Sequence, residues 1–247
     1  MPRLLFLLML SAATVRAESR ETVILLHGLG RTRWSFWRVE QALRHDGYHV
    51  INLTYPSRAH SVEDLTRDWL APLIAAQGSA SRVHFVTHSL GGILLRCYLR
   101  DHAVPHPGRV VMLAPPNAGS ELADRLKPTW LYRTVNGPAG QQLGTTGLPG
   151  ALGPWPAGAG ELGVIAGDRS LNPLYSSWLP GPDDGKVTVA RARLDGMKDF
   201  VTVHSSHTWL AWRKPVIAQI RAFLRTGRFL PPDPSSPAVS PPDLPPA

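Results

Sequence analysis

Three side-chain types that together make a nucleophile reactive sit at informative places in this 247-residue sequence. The nucleophile candidate is Ser89. Before it runs Arg82-Val83-His84-Phe85-Val86-Thr87, a β-branched and aromatic stretch that reads as a buried strand. After it runs Ile93-Leu94-Leu95-Arg96-Cys97-Tyr98-Leu99-Arg100, a helix former at nearly every position. A sharp corner over His88-Ser89-Leu90-Gly91-Gly92 lifts the hydroxyl clear of the sheet and aims unpaired helix N–H groups at any anion forming beside it. Read alone, Ser-Leu-Gly-Gly is also an ordinary helix cap. A serine attacks a carbonyl only when a base takes its proton and an acid orients that base. The base candidates are His207, in Ser205-Ser206-His207-Thr208, and His204, closer to the end of the preceding strand. The acid candidates are Asp184, its neighbour Asp183 in Pro182-Asp183-Asp184-Gly185, and Asp168 just past the strand over 161–166.

A second signal lies about sixty residues upstream of Ser89, where Thr22-Val23-Ile24-Leu25-Leu26 leads straight into His27-Gly28-Leu29-Gly30. The two glycines let the backbone turn tightly and approach a ligand. That makes the Leu29 N–H, together with that of Leu90, a candidate donor to an oxyanion above Ser89. An ordinary strand-to-helix turn is the plainer reading of the same glycines.

The elements that must hold these groups alternate. Strands are expected over 22–26, 49–55, 82–87, 109–114, 161–166 and 200–203. Helices are expected over 32–44, from Ser61 to Gly78, after Ser89, over 120–135 and over 209–226, the last with a kink or restart at Pro215. This order implies parallel strands with helices on both faces. The aromatic residues of the first helix, Trp34, Phe36 and Trp37, are expected to pack on the sheet, with Trp34 alternatively lining a pocket. Residues 171–181 read as a loop and Lys186-Val187-Thr188-Val189 as a short strand. Gly137 to Gly160 is dominated by glycine and proline. A loop of that length suggests a short cap or acyl-binding wall over the site, within a segment spanning 117–160.

His27-Gly28-Leu29-Gly30, Thr87-His88-Ser89-Leu90-Gly91, Asp184-Gly185 and His207, in that order, resemble the α/β-hydrolase superfamily, and within it the small bacterial lipase and esterase group. Pro115-Pro116-Asn117-Ala118-Gly119-Ser120 and Asp184-Gly185-Lys186-Val187-Thr188-Val189 add to the likeness, which covers roughly residues 20 to 230. The resemblance implies an α/β-hydrolase fold with a mostly parallel six-stranded sheet, helices on both faces and a short Gly/Pro-rich cap loop. It also implies a Ser89–His207–Asp184 triad, because nucleophile, acid and histidine follow in that chain order and the acid of many lipases sits in such an Asp-Gly turn. Leu29 and Leu90 would supply the oxyanion hole. The activity implied is carboxylic-ester hydrolysis through an acyl-enzyme; a thioesterase or acyltransferase using the same triad is the alternative. One residue departs from the pattern. Thr87 replaces the first glycine of Gly-x-Ser-x-Gly, so the crossing of strand and helix is expected to widen slightly.

The ends of the chain read differently. Met1-Pro2-Arg3, the apolar run Leu4 to Leu10 and the small residues up to Ala17 have the layout of a secretory signal peptide, so residues 1–17 are expected to be removed and the domain to span 18–230, outside the cytoplasm. The apolar run is too short to span a bilayer. Residues 231–247 are mostly proline, serine and alanine with two aspartates, a composition expected to be disordered. The formal charge of +8 falls to +6 without Arg3 and Arg16. A basic surface favours peripheral contact with anionic membranes or lipid. No basic run interleaved with stacking aromatics marks a nucleic-acid site. The single Cys97 allows no intrachain disulfide and reads as a small buried hydrophobe. No histidine or cysteine cluster has metal-ligand spacing, and neither metal nor cofactor is expected; the substrate would be a small ester or lipid.

Overall fold

The computed structural model describes residues 21–78, 81–150 and 152–231. Residues 1–17, read from the sequence as a signal peptide, lie outside them, as does the Pro-rich tail beyond its first residue.

Strands β1 (Thr22–Leu26), β2 (His49–Leu53), β3 (Val83–His88), β4 (Pro107–Leu113), β5 (Glu161–Gly167) and β6 (Asp199–Val203) form one sheet in the order β2-β1-β3-β4-β5-β6. Every pairing is parallel. The expected "mostly parallel" sheet is thus fully parallel among the described residues. Parallel strands with helices over both faces need apolar residues on both sides, and β1 shows how the pleat divides them. Val23 and Leu25 belong to one core layer, with Val86, Val111 and Ile165 from neighbouring strands. Ile24 and Leu26 belong to the other, with Phe85, Val110, Met112 and Val164.

The first layer is closed by α1 (Trp37–His45), through Val39 and Leu43, and by the C-terminal helix Lys214–Thr226, through Val216, Ile220 and Phe223. The second is closed by a helical stretch made of α2 (Val62–Leu65), a π turn Thr66–Leu70 and α3 (Ala71–Ala75), and by α4 (Leu90–Asp101). Cys97 is buried in α4. Helix α5 (Glu121–Leu126), α6 (Trp130–Gln141), the single turn α7 (Pro173–Ser176), α8 (Val189–Ala192) and the C-terminal α9 (Lys214–Thr226) complete the described chain.

Several expectations change. The first helix begins as a 3-10 turn, Arg33–Phe36, and only Phe36 of its three aromatics is buried; Trp34 is 63% and Trp37 44% exposed. Trp34 lies neither in the core nor in the site cavity. Lys186–Val189 is not a strand. It contributes one antiparallel bridge, Asp183 with Thr188, and Thr188 then caps α8 by accepting the Arg191 N–H at 3.1 Å. The loop over 171–181 holds α7, capped by the Asn172 side chain. Pro215 starts α9 rather than kinking it, after a separate 3-10 turn His207–Trp212.

The 117–160 segment is more regular than a loop. Ser120 and Thr129 cap α5 and α6, and α6 runs past Val135 across a kink at Gly137, where φ is 61°. Arg96 of α4 pins the rest. It is buried and donates to the carbonyls of Asn117 (2.6 Å), Leu152 (2.6 Å) and Gly153 (3.0 Å) and to Asn117 Oδ1 (3.2 Å). Burial lowers its pKa to about 10, so it stays charged at neutral pH. A guanidinium shared among four neutral acceptors ties both ends of the cap segment to the helix behind Ser89.

Candidate active site

Chain reversal between β1 and β3 sets the location. From β1 the chain moves outward to β2 and returns to β3 on the other side of β1, leaving a switch point at the strands' carboxyl ends, where open α/β sheets bind ligands. The register Leu26 with Thr87 puts the His27-Gly28-Leu29 loop beside the Ser89 corner. Contact is close enough that a Cβ on Gly28 would lie 3.1 Å from His88 Nδ1 and 3.3 Å from Ser89 Cβ.

Ser89 has φ 51° and ψ −118°, a conformation that costs a non-glycine residue about 1–3 kcal/mol. It persists because both sides are tied: Ser89 N–H donates to Leu113 O and Gly92 N–H to Ser89 O, each at 2.9 Å. The sharp turn over Ser89 is a strained elbow rather than a helix cap; its side chain caps nothing. Thr87, the departure from the glycine pattern, is fully buried, and its hydroxyl has no hydrogen-bond partner among the described residues. Gly92 makes the room that Thr87 needs, since a Cβ there would lie 3.2 Å from Thr87 Oγ1.

The structure brings Asp184 and His207 together. Asp184 Oδ2 is 2.8 Å from His207 Nδ1, and both side chains are at least 95% buried. Asp184 Oδ1 accepts the Lys186 and Val187 N–H groups at 3.0 and 2.9 Å, and the Asp184 carbonyl accepts the His207 N–H at 2.9 Å. A buried carboxylate is costly unless its lone pairs are filled, and these are. With an acceptor-only carboxylate against it, Nδ1 carries the ring proton and Nε2 keeps its lone pair.

The other acid and base candidates are placed elsewhere. Asp168 Oδ1 pairs with His204 Nδ1 at 3.0 Å, with His204 half exposed, and neither lines the cavity. Asp183 builds the turn instead, accepting the Gly185 N–H (2.7 Å) and the Ser176 hydroxyl (3.0 Å).

His88 is not among the base candidates the sequence offers. It is buried, lies 4.8 Å ring-to-ring from His207, and its Nε2 is 3.0 Å from the His207 carbonyl. A carbonyl partner requires Nε2 to be the donor. Burial, then the charges of His207, Lys186 and Arg31, hold its pKa well below the usual value. Its position next to Ser89 at a strand end was the available signal.

His27 fixes the glycine loop. Its Nδ1 donates to Gly28 O at 2.9 Å, its Nε2 accepts the Tyr55 N–H at 3.3 Å, and its ring stacks on Tyr55 at 4.0 Å. The Tyr55 hydroxyl donates to the His27 carbonyl. Burial lowers the His27 pKa to about 4, against a small rise from the Gly28 bond. The unfolded chain therefore binds a proton here near pH 6.5 while the folded chain does not, so stability is lost as pH falls from there toward 4. At pH 4.5 this one ring costs roughly 2.5 kcal/mol. Urea midpoints of wild type and His27→Gln at pH 7 and 4.5 check this: the variant should show the smaller acid drop, and equal drops would refute it.

Ser89, His88 and His207 open on one cavity of about 440 Å³. Gly28 and Leu29 line one side, while α5, α6 and Leu143 just beyond α6 form an apolar wall with Leu122, Ala123, Leu126, Leu131 and Val135. The wall expected from Gly137 to Gly160 thus comes mainly from residues 122–143, and among the described residues none of 144–160 reaches the cavity. Among the described residues, nothing accepts the Leu29 or Leu90 N–H, and the Ser89 hydroxyl makes no hydrogen bond. Among them, too, no group of three or more His, Cys, Asp or Glu is placed to hold a metal ion.

A sequence model of the Alpha/beta hydrolase family matches residues 23–243. The chain belongs to that family. Among curated proteins, this α/β hydrolase is similar to "Probable esterase PIR7A" of Oryza sativa subsp. indica, 36% identical over 81 residues. That match covers 29% of the chain and spans only 30% of the rice protein's length. Among solved structures it resembles Bacillus licheniformis lipase BlEst2 in mature form, with a TM-score of 0.65 and 20% identity over 83% of this chain and 91% of that one. It also resembles the metagenomic carboxyl esterase MGS0156, with a TM-score of 0.63 and 18% identity over 77% of this chain and 65% of that one. At these identities the structures bear on the fold.

Proposed function

We propose that this α/β hydrolase cleaves carboxylic esters with Ser89 as nucleophile, His207 as base and Asp184 as the acid that orients it. The observation carrying this reading is the buried Asp184–His207 pair, which leaves an imidazole Nε2 available in the same cavity as a strained serine. Similarity to a probable esterase, a lipase and a carboxyl esterase supports it.

In the first half-reaction Ser89 Oγ bonds to the ester carbonyl carbon as its proton passes to His207 Nε2. The N–H groups of Leu29 and Leu90 take the oxyanion, each donor worth about 3 kcal/mol in such sites. The carbon–oxygen bond to the alcohol then breaks, and the alcohol leaves with the proton from His207. Water repeats the sequence: its proton goes to His207, its oxygen bonds to the acyl carbon, and Ser89 departs reprotonated. Asp184 holds the Nδ1–H tautomer and stabilises the imidazolium formed in each half.

Wild-type protein should turn over p-nitrophenyl butyrate, and a fluorophosphonate should add covalently to Ser89, read as a mass shift on its peptide. Absence of both would overturn the assignment. Thioester and alcohol-acceptor rates measured alongside decide between this reading and the thioesterase or acyltransferase alternative. Secretion or periplasmic residence after removal of residues 1–17, and peripheral contact with a lipid surface, belong to the same proposal; both rest on the N-terminal pattern and the basic charge.

A further inference from the structure

The Ser89 cavity is asymmetric in charge. Its wall on α5 and α6 is apolar, whereas the residues flanking Ser89 and His207 include two cations, Arg31 and Lys186, and no acidic side chain lines it among the described residues. Both cations sit on segments fixed by the site itself. Arg31 follows the glycine loop, and its guanidinium donates to Thr208 Oγ1 at 3.2 Å, one residue past His207. The Lys186 N–H donates to Asp184 Oδ1, and its carbonyl accepts the Ser120 hydroxyl at 2.7 Å. Elsewhere Arg67, Arg109, Arg191 and Arg221 pair with carboxylates, yet among the described residues neither Arg31 nor Lys186 has one within 4.0 Å. Asp184 is the nearby carboxylate that acts on Lys186, but its oxygens are engaged by His207 and two backbone N–H groups. Lys186 is exposed as a residue, while its ammonium is enclosed enough that desolvation, and then the Arg31 charge, lower its pKa. With Asp184 committed to His207 and the backbone, the charges of Arg31 and Lys186 repel each other across the site.

We propose that Arg31 and Lys186 form an anion subsite that selects esters carrying a phosphate or carboxylate close to the scissile bond, with the hydrocarbon chain laid along the α5–α6 wall. This rests on the ester-hydrolase reading and adds a substrate class to it. The guanidinium offers a planar fork and the ammonium a point charge, a combination suited to both oxyanions.

The test compares kcat/KM for 1-octanoylglycerol 3-phosphate, the octanoyl ester of lactate and neutral 1-octanoylglycerol. At least one anionic ester should be preferred by about tenfold or more, and Arg31→Gln or Lys186→Gln should each cut that preference by about tenfold. Arg225→Gln, exposed at the opposite end of the sheet near the start of β4, should leave the ratio unchanged. Which anionic ester is preferred identifies the natural headgroup chemistry; ratios near one for both overturn the subsite. Calorimetry on Ser89→Ala keeps this separate from the activity itself: octyl phosphate should bind about tenfold tighter than octyl glucoside, and the Arg31→Gln and Lys186→Gln changes should erase the difference. Equal affinities overturn the subsite whatever the turnover. Absent turnover of every ester, with selective octyl phosphate binding retained, overturns the ester-hydrolase reading alone.

Discussion

Asp184→Asn is expected to lower kcat about ten-thousand-fold, while Asp168→Asn leaves it within about twofold. The two aspartates both follow β5 in the chain, and both contact a histidine nitrogen at 3.0 Å or less. They differ in what surrounds them. The Asp184–His207 pair is buried and opens on the serine cavity, whereas His204 is half exposed and its pair with Asp168 lies off it. An asparagine at 184 keeps the volume and can present its amide N–H₂ to His207 Nδ1. That would reverse the hydrogen bond, put the ring proton on Nε2 and leave no lone pair to take the Ser89 proton. The Lys186 and Val187 N–H groups would still find the amide oxygen, so folding should survive, with Tm falling by only a few degrees. Steady-state turnover of p-nitrophenyl butyrate by the two variants, with melting curves, checks the claim. Equal losses from both substitutions, or a larger loss from Asp168→Asn, would overturn it.

That comparison marks the boundary of what the sequence made legible. The strands stood out because runs such as Val23-Ile24-Leu25-Leu26 are buried on both faces of a parallel sheet, and nothing polar interrupts them. Ser89 stood out because a strand, a glycine-flanked turn and a helix occupy fifteen or so residues that need no tertiary information. The partner of His207 was less plain: the Asp-Gly turn and the family resemblance favoured Asp184, but Asp168 and Asp183 stay open as residue types until the 183–187 turn is seen folding under the β6 loop. Lys186–Val189 misled for a related reason. Val-Thr-Val favours a strand in isolation, but Thr188 serves as a cap for α8, and its one bridge to Asp183 is not extended into a strand pairing among the described residues. Gly137-Pro138 looked like the end of regular structure, and instead the glycine kinks α6 and the proline opens its second piece. Trp34 and Trp37 looked like core because they flank Phe36, but 3-10 geometry at the start of that helix turns only Phe36 inward.

The elbow carries a steeper steric prediction. Gly91 and Gly92 are consecutive, and the sequence treats them alike, but the space around them differs. A Cβ on Gly91 would lie 2.3 Å from the Leu26 carbonyl oxygen and 2.9 Å from Leu26 Cβ. That oxygen belongs to the backbone of β1, so no side-chain rotation relieves the clash; α4 must lift off the sheet. A Cβ on Gly92 would meet Thr87 Oγ1 at 3.2 Å and Met112 Sδ and Pro115 Cβ at 3.3 Å. Met112 Sδ lies on a flexible side chain that can shift by a few tenths of an ångström. Gly91→Ala is therefore expected to cost about 3 kcal/mol, lowering Tm by roughly 6–12 °C, and Gly92→Ala about 1 kcal/mol or less. The activity effects should diverge further. Lifting α4 displaces the Leu90 N–H that the proposed mechanism aims at the oxyanion, and misplacing one such donor costs a hundredfold or more in kcat. Gly92 sits one residue deeper in the helix and should leave that N–H in place. Thr87→Gly in the Gly92→Ala background supplies the internal check. If Thr87 is the group Gly92 makes room for, removing its side chain should recover part of the lost stability, whereas the same change should recover nothing in Gly91→Ala. Recovery in both backgrounds, or equal Tm losses from the two alanine substitutions, would mean that the corner is not held by the approach of α4 to β1.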